Sequence, residues 1–273
     1  MGLRARTGIR GYKGASALNG WSCVYLEKWY GDVVDQRSVH VHYRANLRIG
    51  PLVVGYAGSL APGGRTHCRF VPGGIPLPEL ARGIVEWPSF GQDEALTFGE
   101  SAPRERRLWQ ERTRLLTWNP LVLNGPVTGA GVSGAARGYA ERLTLNCGPW
   151  RLGLERLCWG RYCGTQHSLT WIRWFGRHPL RLALLNGEPV PLEDVSRERI
   201  ECAGATLRIG GRQVLVHEAM DEGALRGLAL TRRLPAMRFF KGIETKWFAP
   251  AELDIGGRAA DDGHAVFEEV AWS

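Results

Sequence analysis

The sequence predicts an all-β protein made of two consecutive antiparallel β-barrels, and three observations carry that prediction. Runs of alternating apolar and polar residues recur along the whole chain, the signature of strands with one buried face. Gly, Pro, Asn and Asp punctuate these runs at the short, regular spacing of all-β domains. Almost no segment of ten or more residues keeps a helical period. About fifteen strands are too many for one small barrel, so two barrel-like halves are expected.

Residues 1–20 are rich in Gly and Arg and have no period, as expected of an extended arm. Residues 23–35 read as a strand with Tyr25, Glu27 and Trp29 on one face and Val24, Leu26, Lys28 and Tyr30 on the other. In 38–48, Val39, Val41, Tyr43, Ala45 and Leu47 alternate with His40, His42, Arg44, Asn46 and Arg48, the cleanest strand pattern in the chain. Residues 51–60 follow a Gly-Pro turn and complete a meander. Residues 61–79 read as a long loop or short edge strands, and β-like runs follow around 82–87, 95–99, 106–111 and 115–123. The small-residue stretch 124–138 reads as a linker or a long hairpin loop. Further strands are expected at 138–146, 155–163, 168–175, 180–186, 200–209, 212–218, 225–233, 241–248 and 263–272, with Asn186-Gly187 and Gly210-Gly211 as hairpin turns. Residues 189–199 are the best short-helix candidate. The halves are therefore set at 21–125 and 126–273. A faint echo links Leu26–Tyr30 with Ile243–Phe248.

Composition narrows the function. With 273 residues, 44% hydrophobic and 23% charged, the chain can bury a large core. No apolar run approaches a membrane helix, and the basic start lacks the apolar core of a secretory signal, so a cytoplasmic protein is expected. Six cysteines without CxxC spacing read as reduced packing residues. The net charge of +8 fits peripheral contact with an anionic membrane, but its scattered basic residues and lack of any recognition motif argue against nucleic acid as a partner. Neither a nucleophile elbow, a P-loop, a dinucleotide fingerprint nor a zinc-protease motif occurs.

The chemistry concentrates at residues 138–176, which hold Trp150, Trp159, Trp171 and Trp174 of the eleven tryptophans. There Tyr139, Glu141, Leu143 and Leu145 share one strand face, which places a carboxylate among apolar groups. A buried carboxylic acid has its charged form disfavoured, so its pKa rises and it can donate a proton near neutrality. Glu141 is the first candidate for such an acid and Glu27, between Tyr25 and Trp29, the second. Tyr139 or His167 would orient the acid. Trp29, Trp159, Trp171 and Trp174, with Tyr25, Arg161 and Trp247, would line a pocket for a lipophilic small molecule. The same carboxylates are equally suited to ion pairs with Arg44, Arg142 or Arg161. His40 and His42, two apart on one strand, resemble half of a metal site, but no other histidine spacing completes it, and no metal is expected.

The segments Gly138-Tyr139-Ala140-Glu141-Arg142, Trp159-Gly160-Arg161 and Leu169-Thr170-Trp171-Ile172-Arg173-Trp174 resemble a G-Y-x-E … W-G … W-x-W signature. It is similar to that of the lipocalin-like group containing carotenoid 1,2-hydratases (hydroxyneurosporene synthases), tocopherol cyclases and AttH-like proteins. Leu26-Glu27-Lys28-Trp29-Tyr30 resembles the aromatic segment that opens the first domain of that group, and fungal pericyclic enzymes are similar in overall form. In the group, G-Y-x-E runs almost directly into W-G, whereas Leu143–Cys158 intervene here. The resemblance implies two lipocalin-like barrels and chemistry without a redox cofactor on an isoprenoid or polyene substrate: general-acid hydration, isomerisation or cyclisation. The competing readings are a lipid- or pigment-binding protein of the same architecture and a cupin-like metal enzyme using His40 and His42.

Overall fold

The computed structural model describes residues 24–35, 38–61, 67–91, 94–220, 241–257 and 260–272. The expected arm at 1–20 and the expected strand at 225–233 lie outside the described residues. The first sheet contains β1 (Val24–Asp35), β2 (Ser38–Ile49), β3 (Leu52–Leu60), β4 (His67–Pro72), β5 (Glu79–Ala81), β6 (Ile84–Trp87), β7 (Leu96–Phe98), β8 (Arg106–Glu111), β9 (Arg114–Gly129) and β10 (Arg137–Leu145). The second contains β11 (Leu154–Gly164), β12 (Ser168–Gly176), β13 (Leu180–Leu185), β14 (Glu188–Val190), β15 (Leu192–Val195), β16 (Arg199–Cys202), β17 (Ala205–Ile209), β18 (Gln213–Ala219), β19 (Ile243–Ile255) and β20 (Asp261–Ala271).

The strand order is β4-β3-β2-β1-β10-β9-β7-β6-β5 in the first sheet, with β8 paired to β9. In the second it is β14-β13-β12-β11-β20-β19-β17-β16-β15, with β18 paired to β19. Adding ten to every label of the first sheet yields the second, so the fold is one antiparallel topology used twice, in the lipocalin-like manner. The echo between Leu26–Tyr30 and Ile243–Phe248 does not follow this repeat, because β1 corresponds to β11 and β19 to β9.

The sheets change over at residues 146–153, which include a 3-10 turn at Pro149–Leu152 ending on Gly153 at φ 59°. The division set at 125/126 falls inside β9, and residues 126–145 belong to the first sheet. Residues 124–138 contain the end of β9 and the start of β10 rather than a linker. Their glycines serve close strand contact: a Cβ on Gly129 would stand 2.7 Å from Leu96 Cδ2, and one on Gly138 2.7 Å from the Asp32 carbonyl oxygen. The helix expected at 189–199 is instead β14, β15 and a turn into β16. Pro189 and Pro191 remove amide donors that a helix would need, and Ser196 Oγ accepts from the Arg199 amide at 2.9 Å to close the turn.

Alternation along the strands sorts the core into three clusters. Trp29, Val33, Trp87, Phe98, Leu121 and Val122 fill the interior of the first sheet. Tyr162, Trp171, Leu207, Trp247 and Phe267 fill that of the second. The third cluster draws on both sheets, with Tyr30, Val41, Trp118 and Tyr139 from the first and Trp159, Trp174, Phe248 and Val266 from the second. This junction is where the sheets meet back to back. Each sheet's first strand carries a glycine under an interior ring. A Cβ on Gly31 would come within 2.9 Å of Trp87, and one on Gly160 within 2.6 Å of Phe267 Cβ.

Candidate active site at the junction of the two sheets

The junction is apolar in outline but holds three fully buried charged side chains, Asp32, Arg161 and Lys246. Asp32 on β1 and Arg161 on β11 are both fully buried and pair across the two sheets. Arg161 Nε donates to Asp32 Oδ2 at 3.0 Å, Arg161 Nη2 donates to Asp32 Oδ1, and the Tyr30 hydroxyl donates to Asp32 Oδ2 at 2.9 Å. Burial works against the guanidinium charge, yet Asp32, helped by Cys163 and Tyr30, offsets it and holds the Arg161 pKa above its ordinary value.

Glu141 stands on β10, where the register with β9 shifts between Ala140 and Glu141. Such irregularities re-aim a side chain. Its Oε2 accepts the Tyr139 hydroxyl at 2.6 Å and the Trp118 indole N–H at 2.5 Å. Burial raises its pKa, against the opposing pull of those two donors. With both donors on Oε2, a proton on Glu141 would sit on Oε1. Burial, then the neighbouring Glu141 carboxyl, pushes the Tyr139 phenol well up, so Tyr139 stays a donor.

A second ionisable group enters from β19 and β20. The Lys246 ammonium pairs with Glu268 Oε2 and lies 3.6 Å from Glu244 Oε1. It sits 5.4 Å from the Tyr30 ring centroid and 5.6 Å from that of Trp159, within cation–π range. Burial pushes the Glu244 pKa up, whereas Lys246 and then Lys28 outweigh the burial of Glu268 and hold it low. His264 stacks on Phe248 with centroids 5.1 Å apart, and burial, followed by the charge of Arg161, lowers its pKa.

The structure distributes the residues singled out from the sequence over four places. Glu141, Tyr139, Trp159, Arg161 and Trp174 meet at the junction. Glu27 and Trp29 occupy the opposite face of β1, where the Trp29 indole donates to Glu27 Oε1 at 3.1 Å. Tyr25 shares that face and is covered by Arg48, 5.3 Å from its ring centroid. Trp171 and Trp247 lie inside the second sheet. His167 belongs to the turn after β11, where its amide donates to Asp261 Oδ2 at 2.9 Å and its Nδ1 meets Asn186 Nδ2 at 3.0 Å. The ion-pair reading applies to Arg161, but its partner is Asp32. Sequence reasoning passed over Asp32, Trp118, Glu244, Lys246 and Glu268.

Two cavities lie beside other parts of the sheets, the first of them reaching Glu268 at the edge of the junction. One of about 320 Å³ is lined by Trp171, Trp247, Phe267 and Arg197, and another of about 350 Å³ by Val33, His40, His42 and His67. Among the described residues no group of three or more His, Cys, Asp or Glu side chains could hold a metal ion. Nor is any described helix long and apolar enough to cross a membrane.

The Glu141 pKa shift predicts a sign for pH-dependent stability. The folded state keeps a proton that the unfolded state releases at lower pH, so the contribution is complete below the unfolded pKa and is lost as pH rises through the raised folded one. Glu141→Gln does not titrate. Urea midpoints measured across that window should therefore shift in favour of the variant as pH rises. A difference that is flat or moves the other way contradicts the raised pKa.

No family model and no curated protein matches the chain. Among solved structures it is similar to CghA bound to Sch210972, with TM-score 0.55 and 10% identity over 92% of this chain and 89% of that one. It is likewise similar to kievitone hydratase from Nectria haematococca, with TM-score 0.53 and 11% identity over 96% of this chain and 95% of that one. At this identity the likeness is one of architecture: the chain shares its doubled, lipocalin-like β fold with CghA and kievitone hydratase.

Proposed function

We propose that the protein is a cofactor-independent enzyme that uses Glu141 as a general acid on a lipophilic, isoprenoid or polyene small molecule bound at the junction. The observation that carries this reading is the placing of Glu141: a buried carboxyl among aromatic rings with both donors on one oxygen, where burial raises its pKa. Protonation of an alkene carbon by Oε1 leaves a carbocation on the neighbouring carbon. The faces of Tyr30, Tyr139 and Trp159 suit a positive charge, and Oε2 keeps its two donors as the carboxylate forms. Water captures the cation in a hydration, an internal nucleophile in a cyclisation, and loss of an adjacent proton gives an isomer. In each case the proton released, from the captured water, the internal nucleophile or the adjacent carbon, returns to the Glu141 carboxylate directly or through solvent, so every outcome balances without electron transfer. One structural neighbour, kievitone hydratase, bears a hydratase's name, which accords with the first outcome.

Incubation in D2O with a panel of polyenes and prenylated phenols tests the reading. One deuterium should enter the product at the protonated carbon, and only when Glu141 is present. Binding without deuterium uptake, unchanged in Glu141→Gln and Glu27→Gln, would place the protein among non-catalytic carriers.

A further inference from the structure

Two buried donors at the junction have no hydrogen-bond acceptor among the described residues: Trp159 Nε1 and Arg161 Nη1. They belong to residues two apart on β11, whose side chains leave the same strand face. Both rest on the ring of Tyr139. The Trp159 and Tyr139 centroids are 5.8 Å apart, and the Arg161 guanidinium carbon is 5.9 Å from the Tyr139 centroid. Tyr139 in turn donates to Glu141. A buried donor without an acceptor is costly, about 1–3 kcal/mol, and folded proteins hold few of them. Two on one strand face, beside the same ring as the acid, form an incomplete site that an acceptor atom would complete.

We propose that Trp159 Nε1 and Arg161 Nη1 seat one uncharged acceptor oxygen of the ligand, a ketone or enone carbonyl, so that the lipophilic molecule bound at the junction is a carbonyl compound and not a pure hydrocarbon. At this seat the charge of Arg161 is already balanced by Asp32, so a ligand carboxylate placed there would compete with Asp32 for the one guanidinium. A hydroxyl fits less well, because it brings a proton that would need its own acceptor. A carbonyl oxygen offers two lone pairs and no donor, which matches two open N–H groups. The proposal rests on the junction being the ligand site, as above, and adds the functional group that this site selects.

Calorimetric titration of the full chain with two probes tests it: β-ionone, and the hydrocarbon in which a methylene group replaces its carbonyl oxygen. The probes share a shape and differ in the acceptor. The ketone should bind about tenfold more tightly, the expected worth of one to two buried hydrogen bonds. Trp159→Phe, which keeps a ring and loses the N–H, should remove most of that preference by weakening the ketone several-fold more than the hydrocarbon. Arg161→Lys keeps a cation opposite Asp32, removes Nη1 and should act in the same direction. Equal affinity for the two probes, no binding of either, or equal weakening of both by these variants would overturn the proposal. Glu141→Gln should keep the ketone preference, so a failed seat and a failed acid are read by separate measurements.

Discussion

Glu141→Gln is expected to lower turnover by about 10²–10⁴-fold, the usual contribution of a positioned general acid. Glutamine has nearly the same shape, and its carbonyl oxygen can accept from Tyr139 and Trp118 as Oε2 does. What it lacks is a proton it can release. The loss should therefore appear in kcat, with KM moved far less, because the contacts that hold the substrate remain. Wild-type activity should fall on the alkaline side as the raised Glu141 pKa is passed, and that limb should vanish from whatever activity the variant retains. Glu27→Gln supplies the comparison. Glu27 faces the interior of the first sheet beside Trp29, so the relative effects of the two variants locate the chemistry on one face of β1 or the other. Full activity in Glu141→Gln removes the role assigned to it.

Arg161→Met should destabilise the fold by about 3–5 kcal/mol, the cost of leaving one member of a buried ion pair alone. Asp32 would keep only the Tyr30 hydroxyl of its side-chain donors, inside an apolar junction. The double variant Asp32→Leu/Arg161→Met should recover most of the loss, since apolar groups of similar volume often replace a buried pair with little penalty. Urea denaturation of the two single variants and the double variant closes the cycle. A single variant within about 0.5 kcal/mol of wild type would mean that the pair does not fasten the sheets, because effects of that size are typical of surface substitutions.

The fold was legible because strands announce themselves locally. Strict alternation set β2, and Tyr139, Glu141, Leu143 and Leu145 fell on one face from the sequence pattern alone. Of the two readings of the small-residue stretch at 124–138, the structure bears out the hairpin and not the linker, and its ends are strand because glycine marks loops and closely packed strands alike. The site was only half legible. Trp171 and Trp174 are three residues apart on β12, so they leave opposite faces, and one pocket could not hold both. That distinction was available from periodicity. The pairing of Asp32 with Arg161 was not, since it joins residues 129 positions apart through the docking of two separate sheets. Glu244 and Lys246 read locally as the wet face of an amphipathic strand. Only the presence of the other sheet turns that face inward.

The doubled topology also sets an order in time. Each sheet has its first strand paired to its last, β1 to β10 and β11 to β20, so neither is complete until its final strand has been synthesised. The first sheet can therefore assemble on the ribosome while the second does not yet exist. In that interval Asp32 lacks Arg161, and the face carrying Glu141, Tyr30 and Tyr139 is open to water. A solvated Glu141 is an ordinary carboxylate with an ordinary pKa. Its raised pKa is thus acquired when β11, β19 and β20 arrive, and a nascent chain bearing only the first half would hold every atom of the proposed donor without the burial that shifts it.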